Sequence, residues 1–127
     1  MPAAVKTTLP GRLTPPAPAR LFAGSASGLG QLIHYCRDST CADVAAHAPA
    51  YVTAPAGSYV LFSMYSTPLE AVAEVRTRPS ETPVTVRLSP GYLMNFGQRL
   101  GSGRFLVDLV CRWGTSAARW RFGIILT

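Results

Sequence analysis

Two stretches of apolar alternation constrain the fold of this chain more than any other feature: R-F-L-V-D-L-V-C-R-W (104–113) and R-W-R-F-G-I-I-L (119–126). In the first, Phe105, Val107, Leu109, Cys111 and Trp113 share one side of an extended strand, with Leu106, Asp108, Val110 and Arg112 on the other. In the second, Trp120, Phe122, Ile124 and Leu126 fall together, opposite Arg119, Arg121, Ile125 and Thr127. A period of two marks half-buried strands. The connection G-T-S-A-A (114–118) is short, so the two should pair as an antiparallel hairpin.

The rest of the chain repeats the theme in shorter pieces. Apolar runs recur at 19–23, 31–36, 58–65 and 83–88, separated by G-S-A-S-G-L-G, P-A-G, R-P-S-E-T-P and L-G-S-G. Many short strands with Gly/Pro turns predict an all-β protein, an antiparallel immunoglobulin-like β-sandwich of about seven or eight strands over residues 19–127. In one strand Val84, Val86 and Leu88 should face inward, with Thr85 and Arg87 outward. Residues 67–76 are ambiguous. Thr67, Pro68 and Glu70 imitate a helix start, whereas Leu69, Ala71, Ala73 and Val75 make one strand face, and the strand is preferred because strands flank it. Residues 1–18 carry Pro2, Pro10, Pro15, Pro16 and Pro18 and are expected to form a polyproline-like leader or linker. With 127 residues, 48% hydrophobic and 14% charged, one domain can bury a substantial core and general disorder is excluded.

The net charge is +6, carried by eleven arginines and a single lysine, Lys6. An Arg-rich, Lys-poor surface suits planar anions better than loose attraction to a polymer. No dense basic run of the nucleic-acid-tail kind occurs, so nucleic acid is not the expected partner. No apolar window is long enough for a transmembrane helix. The N-terminal residues lack the apolar core of a signal peptide, so an exported protein would have its targeting signal outside this chain.

The stretch H-Y-C-R-D-S-T-C (34–41) sets two cysteines across a polar turn. Strands meeting across such a turn bring Cys36 and Cys41 into disulfide range, which an oxidising compartment would fix. The rival is zinc on His34, Cys36, Cys41 and His47, although its interleaved H-C-C-H order departs from paired ligand spacings. A redox-active pair prefers C-x-x-C at a helix start. Cys111, among Leu109 and Trp113, reads as a buried thiol acting as a small hydrophobe.

Three stretches in order, Y-C-R-D-S-T-C-A-D (35–43), P-A-G-S-Y-V-L-F (55–62) and G-R-F-L-V-D-L-V-C-R-W-G-T-S-A-A-R-W-R-F-G-I-I-L (103–126), resemble small bacterial cell-envelope domains, often found in lipoproteins. The resemblance implies an immunoglobulin-like sandwich and no particular activity.

No catalytic constellation emerges. G-S-A-S-G lacks the spacing of a nucleophile elbow, and the six acids are scattered. The expectation is therefore a non-enzymatic, extracytoplasmic binding or structural module that needs no cofactor and meets a protein or acidic surface. Arg112 is expected opposite or diagonal to Arg119 and Arg121 on the outer face of the C-terminal hairpin, with Asp108 or an anionic partner offsetting their repulsion. Trp113 and Trp120 flank the loop and are candidates for core packing or for aromatic anchors. A peptidase inhibitor presenting the disulfide-tied R-D-S-T loop is the alternative within binding.

Overall fold

The computed structural model describes residues 16–44, 49–97 and 100–127; the predicted leader over 1–18 lies almost wholly outside them. Among the described residues there are eleven strands and no helix. They are β1 (Arg20–Ala23), β2 (Ala26–Leu29), β3 (Gln31–Arg37), β4 (Thr40–Asp43), β5 (Tyr51–Ala54), β6 (Val60–Ser63), β7 (Glu70–Arg76), β8 (Val84–Leu88), β9 (Leu93–Asn95), β10 (Gly103–Trp113) and β11 (Ser116–Leu126). A four-stranded sheet, β2-β1-β6-β9, packs on a seven-stranded one, β4-β3-β11-β10-β7-β8, in which β5 also pairs with β11. The predicted all-β sandwich is the observed architecture, with more and shorter strands than expected.

Alternation builds the core. Leu21, Ala23, Val60, Phe62 and Met94 come from the small sheet, and Val107, Leu109, Cys111, Trp120, Phe122 and Ile124 from the large one. Phe62 and Phe122 meet ring to ring across the two layers, their centroids 5.5 Å apart. The Cys111 thiol donates to the Met64 thioether, Sγ to Sδ 3.5 Å, and ties the layers near one end. Residues 67–76 resolve as strand β7, with Ala71, Ala73 and Val75 buried as that reading requires; Leu69 precedes the strand and is exposed. Val84 departs from its predicted inner face. It opens β8, the outermost strand of the wider sheet, and overhangs the core at 65% exposure, whereas Leu88 at the other end is buried.

Strand β11 has three partners. Strand β10 runs antiparallel along its whole length, from Trp113↔Ser116 to Gly103↔Leu126. On its other side β3 pairs antiparallel with Ser116–Arg121 and β5 pairs parallel from Gly123 to Leu126. The register shifts between Arg119 and Trp120, whose partners are His34 and Leu32, so Ile33 is an extra residue in β3. This bulge reverses the side-chain parity of β3. Leu32 reaches the core side beside Trp120, while His34 and Cys36 turn to the outer face. The turn joining β10 to β11 is Gly114–Thr115 alone, tighter than the five-residue loop expected. Gly114 supplies the positive φ (55°) that such a turn needs.

Gly123 lies directly under the Tyr51 ring: a Cβ there would come within 2.7 Å of it. The Arg104 guanidinium covers the same ring, 4.9 Å from its centroid. Gly123→Ala is expected to cost about 1–3 kcal/mol through overpacking. Most of that loss should vanish in a Tyr51→Ala background, as measured by a denaturant double-mutant cycle; equal losses in both backgrounds would show that the ring is not the obstacle.

Candidate functional site

The outer face of the large sheet is polar, and its chemistry follows from the β10–β11 register. Asp108 stands opposite Arg121 on one side and Glu74 on the other. Arg121 grips Asp108 with a two-pronged fork, Nε to Oδ1 at 2.8 Å and Nη2 to Oδ2 at 2.9 Å. Arg119, one diagonal step away, donates through Nη1 to Asp108 Oδ2 (2.9 Å) and to Glu74 Oε1 (2.7 Å). Arg76 closes the network on Glu74 at 3.4 Å. Asp108 is only 1% exposed although it points away from the core, because its own partners cover it. Burial alone would push its pKa up, but hydrogen bonds from Arg121 and then Arg119 outweigh that and hold the carboxyl below its usual range.

Arg112 belongs to a different pair. The two-residue turn sets it opposite Ala117, diagonal to Arg119 and away from Arg121. Its guanidinium meets Glu70 at 2.8 Å, and that contact lowers the Glu70 pKa. All three candidate arginines thus have intramolecular carboxylate partners. Asp108 was legible as one of them; Glu70 and Glu74 were not, because strand β7 had to be placed beside β10 first.

The predicted Cys36–Cys41 disulfide is present and joins residues paired directly across β3 and β4. A ring this small stabilises the fold by about 2 kcal/mol in the loop-entropy treatment. The same register sets His34 opposite Asp43, and His34 Nδ1 donates to Asp43 Oδ1 at 2.5 Å. His34 Nε2 lies 3.3 Å from Cys36 Sγ. Asp43 escaped the sequence reading, although pairing Cys36 with Cys41 implies pairing 34 with 43. His47, the other candidate zinc ligand, lies outside the described residues.

At one end of the sandwich three connections converge. The β3–β4 turn is docked on the β10–β11 turn by the Thr115 hydroxyl, which donates to Asp38 Oδ1 at 2.7 Å. The segment after β6 is held nearby, since the Leu69 amide donates to the Arg112 carbonyl. Between them opens a cavity of about 240 Å³ whose lining includes Tyr35, Arg37, Met64, Tyr65, Trp113 and Ser116. Trp113 and Trp120 meet edge to face, centroids 6.2 Å apart. Trp120 is buried in the core, whereas Trp113 is half-buried and faces this cavity. The Trp113 Nε1 is shielded from solvent and has no acceptor among the described residues. Tyr65, Leu69 and Tyr92 are exposed around the same end.

Two outcomes test this geometry. Asp108→Asn should lower stability near neutral pH by about 3 kcal/mol, at the lower end for a broken buried pair because the arginines keep some contact with water. The depressed Asp108 pKa gives stability that is present above the unfolded value and lost as pH falls through the folded one. Wild-type protein should therefore lose stability below about pH 4, and the Asn variant should lose less over that window in urea titrations. Burial pushes the Cys111 thiol up to about 12. Intact-mass spectrometry should accordingly find no alkylation of the native, unreduced protein and a single alkylated thiol after unfolding without reductant.

No family model matches the chain, nor does any curated protein or solved structure.

Proposed function

We propose that this chain is a non-enzymatic, extracytoplasmic binding module of the bacterial cell envelope type, and that it engages a protein partner through the end of the sandwich where the β3–β4 and β10–β11 turns meet. The observation that carries this reading is the cavity beside Trp113. A half-buried indole face, rimmed by Tyr65 and Arg37, is suited to an apolar side chain. An acidic group on the partner would meet Arg37.

The disulfide supports an oxidising compartment. The self-paired arginines favour the loop end over the hairpin face as the contact surface, because an incoming anion would have to displace Asp108, Glu74 or Glu70. A protease cleft takes its ligand as an extended strand. The disulfide-tied turn has Asp38 in the left-handed region (φ 56°), which favours a docking module over an inhibitor loop.

Panning a displayed random-peptide library on the folded protein tests the reading. Enriched peptides should combine an apolar anchor with acidic flanks and lose about ten-fold or more in affinity on Trp113→Phe or Arg37→Glu, about 1.4 kcal/mol. Peptides that bind both variants as well as wild type, or no enrichment at all, would sink it.

A further inference from the structure

The outer face of the β3–β4 hairpin holds a second constellation that the loop-end reading does not use. The donor atoms of His34, Cys36 and Cys41 all lie within 4.8 Å of one another. Asp43 accepts the Nδ1 proton of His34, so in the neutral ring the lone pair lies on Nε2, which is 3.3 Å from Cys36 Sγ. A carboxylate that fixes the tautomer and heading of a histidine, with the second nitrogen facing sulfur, is the arrangement found around thiolate–imidazole metal centres. In the oxidised protein the two sulfurs are bonded to each other and offer no thiolate.

We propose that two-electron reduction of Cys36–Cys41 uncovers a Cys2His site for a thiophilic divalent cation, Zn2+ in the first instance, with Asp43 as the residue that positions His34. A dithiol supplies the electrons. Its two S–H groups become a disulfide while the Cys36–Cys41 bond breaks into two thiols. Metal binding then releases those two thiol protons as two M–S bonds and one M–N bond form. The fourth position stays open to water on an exposed edge, where the Asp43 side chain is 87% exposed.

The backbone is ready for this change. Zn–S bonds at tetrahedral angles hold two sulfurs about 3.8 Å apart. The Cα atoms of the directly paired cysteines are 4.0 Å apart, so rotation of the Cys41 side chain at the exposed strand β4 can supply the spread. The hairpin does not depend on the bridge alone: β3 stays laddered to β11 from Gln31 to Arg37, and Thr115 still holds Asp38. Metal and disulfide exclude each other, so bound cation also protects the thiols from reoxidation.

The test uses the full chain, reduced with a dithiol and desalted anaerobically, titrated with Co2+ and then competed with Zn2+. Reduced protein should take up one Co2+ with thiolate charge-transfer and tetrahedral d–d absorption, and oxidised protein none. His34→Ala and Asp43→Asn should each weaken binding about ten-fold or more, and Cys111→Ser should leave it unchanged. The proposal is overturned if reduced protein that keeps its circular dichroism shows no cobalt–thiolate absorption, if reduction itself unfolds the chain, or if His34→Ala binds as tightly as wild type.

Discussion

The structure depends on one ladder, that of β11. One edge of this strand is taken along its whole length by β10, and the other is divided end to end between antiparallel β3 and parallel β5. Three strands drawn from both halves of the chain are therefore locked by the hydrogen bonds of one. Slipping β11 by a single residue would turn Trp120, Phe122 and Ile124 out of the core and turn Arg119 and Arg121 into it. The cost of burying those guanidiniums makes the register close to unique.

The same register explains why an arginine-rich hairpin does not behave as an open cationic patch. Asp108 is flanked across the ladder by Arg121 and diagonally by Arg119, and Glu74 completes the set from β7. A carboxylate so enclosed acts as an internal counterion, and the Tyr51 ring over Gly123 continues the cover toward the other end of the face. The protein's net positive charge is thus spread over arginines elsewhere, Arg37 at the cavity rim among them.

Long alternating segments were legible in the sequence because a period of two over eleven residues leaves one solution. Strands β10 and β11 were visible in this way; β3 showed as an apolar run between turn signals, β7 as the preferred of two readings, and the disulfide from the polar turn between its cysteines. Strands β2, β5 and β9 were not. Ala26–Leu29 looks like a glycine-rich loop because Gly28 must be bare where the Val52 side chain closes on it, and Leu93–Asn95 is too short to show any period. The bulge at Ile33 hid the true faces of β3, since Leu32 and His34 would share a side in a regular strand. The site residues divide along the same line. Partners within a hairpin could be read or nearly read, as Asp108 was and Asp43 should have been. Glu70, Glu74 and the cavity around Trp113 arise from segments far apart in the chain, and no local pattern announces them.

The two layers are unequal in a way that bears on motion. The small sheet is built from strands of three or four residues, while the central hairpin of the large sheet pairs eleven residues against eleven. Amide exchange and local opening follow the number of bonds that must break together. By that measure the small layer is expected to open before the long hairpin does. Met64 and Tyr65, which line the cavity, follow directly from β6 in that layer, whereas Trp113 and Ser116 belong to the long hairpin. One wall of the cavity thus belongs to the long ladder and the other to the short one, so a change in its width need not disturb the ladder that holds the fold.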